Sequence, residues 1–244
     1  MTTIESNIIN LTSLWKSATK PFNTYNEDKN IGYCFVPNSQ WPNKIWLKKE
    51  HDITILNEIK LLLKSELDGL TFSYFDIDDK EENKIVFDYH DFDEASIQFG
   101  MSLKLSEKVK ISKQLKFKLV TNIEDSQKWS QTFHKAFGYK VSEETINKTY
   151  HHINYYLIYD QENIIGTVIS HQTASTIGIH SLGILPNMRG NGYATQIMHH
   201  LLNKGLQQGC NLATLQASKM AKSMYEKMGF TTEFIMRNFK LKTQ

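Results

Sequence analysis

Hydrophobic and polar positions follow two different periods along this chain, and each change of period marks an element. From Ile4 to Lys16 and from Asp52 to Leu67 the pattern is helical. In the second run Ile55, Ile59, Leu62 and Leu63 recur at spacings of three and four, and Gly69 stops it. Ile31 to Val36 and Lys44 to Lys48 read as strands around the turn-forming stretch Pro37 to Asn43. Leu70 to Ile77 and Lys84 to Tyr89 also read as strands. Ile97 to Leu105 alternates, with Phe99, Met101 and Leu103 on one face.

Ser106 to Lys113 is polar, lysine-rich and poor in large hydrophobes, and is taken as a linker. It divides the chain into an N-terminal α/β domain, 1–113, and a second domain, 114–244. Beyond it the predicted elements are strand Leu115–Val120 and helices Glu124–Phe137 and Ser142–His151, the latter with Ser142 as its cap. A hairpin follows, Asn154–Tyr159 and Ile164–Ser170 about the turn 160–163. Strand Ile177–Leu185, helix Tyr193–Gln208 ended by Gly209, strand Asn211–Gln216, helix Ser218–Met228 ended by Gly229 and strand Thr232–Lys240 complete the pattern.

Composition narrows the function classes. A net charge of +2 gives no overall basic field of the kind that signals nucleic acid. Cys34 and Cys210 cannot build a disulfide framework and show no metal-ligand spacing, so no metal is expected. Met1 to Leu11 lacks a basic start and apolar core, and no apolar run approaches membrane-spanning length, so a cytoplasmic setting is expected. Charge is uneven: Asp76 to Glu94 holds nine acids against two lysines, a segment of −7 in a remainder of +9. Its plain reading is a solvated loop; its sharper reading is a wall that attracts a cationic substrate.

The chemically distinctive stretch is Arg189-Gly190-Asn191-Gly192-Tyr193-Ala194, between a strand ending at Pro186 and a helix. First-turn N–H groups and the positive end of the helix dipole favour an anion. Two glycines let the backbone approach it, and Arg189 adds a fork of donors. A pyrophosphate-bearing ligand is expected. The third glycine of a dinucleotide fingerprint is Thr195, and no acid stands about 20 residues on, which speaks against that alternative.

Leu182-Gly183-Ile184-Leu185-Pro186, the glycine loop, and Ala221-x-x-Met224-Tyr225 through Gly229-Phe230 stand in order with matching spacing. Together they make the second half resemble the GNAT superfamily of N-acetyltransferases. Ser218 departs from the family, which often has Asn there. The resemblance implies a mixed α/β (α+β) fold, with a mostly antiparallel central sheet flanked by helices. The first half, which lacks the motifs, is compatible in its element order with a worn repeat.

The resemblance further implies acetyl-CoA as donor and a primary amine of a small molecule or protein as acceptor, joined in a ternary complex. Leu182, Ile184, Leu185, Arg189, Gly190, Asn191, Gly192, Tyr193, Ala194, Thr195, Ser218 and Tyr225 would contact the cofactor. Gly183 is the residue best able to allow the strand bulge found in the family. Tyr225 would protonate the departing thiolate, and His180 would take the amine's proton. Glu143, Glu144 and His152 are lesser candidates for that base. The acceptor is expected to be cationic if the acidic segment faces the cleft. Monomer and homodimer both remain open, with no nucleic acid or membrane partner expected. A non-catalytic acyl-CoA-sensing module is the alternative.

Overall fold

The computed structural model describes residues 1–65 and 69–242. In the first half they form α1 (Thr3–Thr19), β1 (Tyr25–Glu27), β2 (Ile31–Cys34), β3 (Lys44–Leu47), α2 (Ile53–Lys64), β4 (Thr71–Asp76), α3 (Glu81–Tyr89) and β5 (Phe92–Lys104). In the second half β6 (Lys116–Leu119), α4 (Ile123–Phe137), α5 (Glu143–Thr149), β7 (Asn154–Asp160), β8 (Asn163–Thr173) and β9 (Thr176–Ile184) come first. They are followed by α6 (Tyr193–Gln207), β10 (Leu212–Ala217), α7 (Lys222–Lys227) and β11 (Thr231–Leu241). This is the expected mixed α/β architecture.

All eleven strands join one sheet in the order β1-β2-β3-β4-β11-β5-β10-β9-β8-β7-β6. The order β1-β2-β3-α2-β4-α3-β5 is repeated as β7-β8-β9-α6-β10-α7-β11. Each half has one parallel pair, β3 with β4 and β9 with β10, and the other pairings are antiparallel. The last strands are exchanged: β5 lies between β10 and β11, and β11 lies between β4 and β5. The boundary at residue 113 thus falls in a connection, while the strands on either side of it interleave.

Alternation along the strands sends side chains to two layers. On one face α6 and α7 cover Ile177, Ile179, Met101 and Leu215, and α2 and α3 cover Ile45, Phe72 and Phe239. On the other face α1, α4 and α5 cover Ile169, Tyr155 and Leu157, and Leu11 and Trp15 of α1 continue over Trp46 and Phe234. Helix α1 therefore belongs to both halves. Three antiparallel steps separate β4 from β10, so the two parallel pairs run in opposite directions.

Three readings change. Residues 84–89 are helical, not extended. Among the side chains described there, Asn83, Val86, Phe87 and His90 are the sheltered positions, spaced by three and four, and Phe87 alone is fully buried. Strand β1 has no counterpart in the sequence pattern, and β5 begins at Phe92, ahead of Ile97, because exposed Asp93 to Ser96 show no alternation of apolar and polar positions. Of the helix expected from Asp52 to Leu67, Ile53–Lys64 is observed; residues 66–68 lie outside the described residues.

Candidate active site

Strands β9 and β10 are hydrogen-bonded only from Thr176/Leu212 to Gly178/Thr214. Beyond that point β9 continues to Ile184 and β10 to Ala217, leaving a gap between them. The β8 register contributes: Thr167 and Ile169 face Gly183 and His180, so β9 carries one extra residue there. The residue that turns the chain is Ser181, at φ 53°, and not Gly183. Gly183 serves closeness instead, since a Cβ there would sit 2.3 Å from a ring carbon of Phe137 at the end of α4. Leu182 and Ile184 are half-buried against the α6 side of the core, and the Leu185 N–H donates to Ile165 at 2.9 Å.

The chain leaves β9 through a single 3-10 turn, Pro186–Met188, and reaches α6 through Gly190 (φ 79°) and Gly192 (φ 75°). Left-handed backbone favours glycine at both positions. A Cβ on either would meet nothing within 4 Å, so open space lies above them. Gly192 caps α6 without a side chain, and the N–H groups of Gly190 to Thr195 find no acceptor among the described residues. Donors, dipole and space thus converge on one spot. Arg189 is engaged otherwise: its Nε donates to Ile184 O (3.1 Å) and its Nη2 to Ala136 O (2.8 Å), tying the loop to β9 and α4. Asn191 Nδ2 donates to the carbonyls of Met188 and Arg189, and the Tyr193 hydroxyl donates to Asp160.

Sequence reasoning missed Lys113. Its Nζ donates to Asn191 O at 2.8 Å and lies 4.4 Å from the Tyr193 ring centre, placing a cation beside the glycine loop. The connection that carries it is strapped along α6. Gln196 Oε1 accepts from the Ser112 and Lys113 N–H groups, Asn203 exchanges two bonds with Val109, and the His199 and His200 rings meet carbonyls of Lys110 and Lys113. A lysine in a polar linker carries no signal until its neighbour across space is known.

Tyr225, on α7, is 7% exposed and packs edge-on against Phe230. Burial pushes its phenol up to about 12. Ser218 accepts from the Ala221 N–H at 3.3 Å, starting the turn into α7.

His180 faces the other layer, under α1. Its Nε2 lies 2.9 Å from Asn10 Oδ1, while Asn10 Nδ2 donates to His171 O and Thr173 Oγ1, both at 2.9 Å. Because Asn10 Oδ1 is the acceptor, that contact assigns the proton to Nε2. Burial pushes His180 down to about 3, helped by nearby His171 and opposed by Gln216. A Cβ on Gly178 would lie 1.8 Å from Asn10 Oδ1, so the absent side chain makes room for the pair. Asn7 extends the network to Met101 O and Gln216. None of these partners was legible without knowing that α1 lies over β9.

The other expected groups stand apart. Glu143 and Glu144 are exposed on α5, Glu144 pairing with Lys148 at 2.7 Å, and His152 is exposed. Much of the acidic segment is paired within the N-terminal half and with β11: Arg237 holds Asp76 (2.8 Å), Glu94 (2.6 Å) and Asp79, and Lys60 holds Asp91. Asp78 and Glu82 line a cavity beside β3 and β4, not the β9–β10 gap. Among the described residues no group of three or more His, Cys, Asp or Glu is placed to hold a metal, and no helix is long and apolar enough to cross a membrane.

Residues 118–230 match the Acetyltransferase (GNAT) family. A GCN5-related N-acetyltransferase from Kribbella flavida superposes with a TM-score of 0.70 at 11% identity, covering 98% of this chain and 96% of its own. One from Sphaerobacter thermophilus gives 0.62 at 12% identity, covering 98% and 93%. A tandem GNAT protein from the clavulanic acid biosynthesis pathway gives 0.56 at 9% identity, covering 86% and 77%. At these identities the likeness is one of fold. A search of the curated proteins finds no match.

Proposed function

Residues 118–230 form an acetyltransferase domain of the GNAT family, and from that premise we propose that the protein transfers an acetyl group from acetyl-CoA to a primary amine at the β9–β10 gap. The observation that carries this reading is the row of unpartnered N–H groups from Gly190 to Thr195, set beside a gap in the sheet and below open space. A diphosphate fits that row: it brings acceptors to donors that have none, at the positive end of α6. Gly190, Asn191, Gly192, Tyr193, Ala194 and Thr195 would hold it through the backbone, with Lys113 adding charge. Arg189 would act by fixing the loop to Ile184 and Ala136. The backbone of Leu182 and the Ile184 N–H would guide the pantetheine arm, with Leu185, its own backbone bonded to Ile165 and Met188, contributing its side chain and Ser218 at the far rim of the gap.

The bound thioester would supply the acyl group and a sulfur leaving group. Backbone N–H groups exposed where β9 parts from β10 would steady the oxygen that gains charge. Tyr225 would donate its proton to the sulfur. Its raised pKa keeps the phenol protonated through physiological pH, as an acid must be. The base role first expected of His180 is not carried into this proposal. An imidazole held at about 3 is a poor proton acceptor, and its Nε2 is engaged by Asn10. In this reading the amine loses its proton to water before it attacks, and His180 is a positioning residue that fixes α1 to β9.

The test is thiol release from acetyl-CoA in the presence of a panel of primary amines, with coenzyme A titrated calorimetrically alongside. Turnover on an amine supports the reading. Tight coenzyme A binding without turnover on any amine would favour an acyl-CoA-sensing module, and no binding would remove both.

A further inference from the structure

The N-terminal repeat contains a second opening. Strands β3 and β4 pair only from Lys44/Thr71 to Trp46/Ser73 and then part, as β9 and β10 do. The cavity at this opening has a volume of about 830 Å³, within the range of small-molecule sites. It opens toward the opposite end of the sheet from the β9–β10 gap, because the two parallel pairs run in opposite directions.

This cavity does not suit a diphosphate. The start of α2 is closed by the Asp52 side chain, which accepts from the Ile55 N–H at 2.9 Å, and Glu50 lies on the cavity wall. Carboxylates stand at this helix start, where a diphosphate would have to approach.

Its own lining is amphoteric. On the α1, β1 and β3 side, Glu27 lies between Lys48 (3.1 Å) and Lys16 (3.5 Å), which leaves one positive charge over, while exposed Lys49 and Glu50 offset each other. On the side of β4 and α3, Asp78 neutralises Lys80 (2.7 Å) and exposed Glu82 adds a negative charge. Between these walls are the rings of Trp46, Tyr74 and Phe75. A ligand matching all three features carries a carboxylate and an ammonium group separated by an apolar body. We propose that this cavity binds a zwitterionic, amino-acid-like small molecule at a site separate from the acetyl-transfer cleft.

The test is calorimetry of the full-length protein with L-phenylalanine and L-leucine, and with phenethylamine and 3-phenylpropionate as probes lacking one charge. Saturable binding of an amino acid is expected, weakened at least about tenfold when either charge is missing. It should persist at saturating coenzyme A. Lys49→Ala and Glu82→Gln, both exposed and outside the glycine loop, should each weaken it by about fivefold or more and leave the coenzyme A titration unchanged. Absence of saturable heat from either amino acid, equal affinity for a singly charged probe, or displacement by coenzyme A overturns the proposal. A failure of coenzyme A itself to bind would bear on the acetyltransferase reading alone.

Discussion

The two halves of the molecule build the same strand–helix–strand turn and finish its helix start in opposite ways. At α6 the cap is Gly192 in left-handed conformation, and the first-turn donors face open space. At α2 the cap is Asp52, whose carboxylate satisfies one of those donors and brings negative charge. A conserved chain path therefore does not make an anion site. What makes one is leaving the peptide dipoles unanswered, which stabilises the isolated helix less and a bound phosphate more.

The contrast can be broken most severely at the glycine. Gly192→Val forces a β-branched residue to φ 75° and directs its side chain from a Cβ with nothing within 4 Å into the open space above the loop. Loss of two charge-assisted bonds, each about 1.5–3 kcal/mol, predicts a rise in the acetyl-CoA Kd of roughly a hundredfold or more. Strain should cost about 1–3 kcal/mol of stability, readable by denaturant titration. Asp52→Gly at the corresponding place should leave that Kd unchanged.

Next in size is Tyr225→Phe, expected to lower kcat by about 10²–10⁴-fold with little change in acetyl-CoA affinity. Equal loss of both would mean that Tyr225 only packs. Since its pKa lies at about 12, no loss of the acid should appear in kcat between pH 7 and 10. From about pH 5 to 10 kcat/KM should climb with the neutral fraction of the amine and show no histidine limb near 6.5. A limb there that disappears in His180→Gln would restore a base role to His180.

The helix shared by the halves gives a third prediction. Asn10→Ala leaves buried partners of His180 and His171 unanswered and should cost about 1–3 kcal/mol of stability. His180 also makes stability depend on pH. Its folded pKa, about 3, lies below the ordinary 6.5, so the unfolded chain binds the extra proton. The stability it contributes is full above 6.5 and is lost as pH falls toward 3. His180→Gln should flatten the melting temperature in that window. Smallest is Lys113→Met, expected to raise the acetyl-CoA Kd by about fivefold and to reduce its salt dependence.

These predictions divide along what the chain reveals by itself. The Gly190–Gly192 loop and the Tyr225 block were legible because glycine conformation and helix capping are local, encoded within a few residues. The same holds for Ser142, which caps α5 as expected. Asn10 over His180, Lys113 beside Asn191 and Arg237 among Asp76, Asp79 and Glu94 were not. Each pairs residues 78 to 170 positions apart: the Arg237 contacts follow from the exchange of β5 and β11, that of Asn10 from α1 lying across both halves, and that of Lys113 from the connection strapped along α6, and no periodicity encodes any of them. The acidic segment was legible only in part for the same reason: its charge was visible, but not the cation inserted from β11. Gly183 showed that a glycine in a strand can serve close packing while Ser181, two residues earlier, supplies the bend.

The central claim is that only one of two equivalent helix starts grips the diphosphate. It is tested most directly by amide hydrogen exchange of the full-length protein with and without coenzyme A. Protection is predicted at the amides of Gly190 to Thr195, with no change at those of Ile53 to Leu56. Protection at the start of α2, or none at the glycine loop under saturating ligand, would contradict the account.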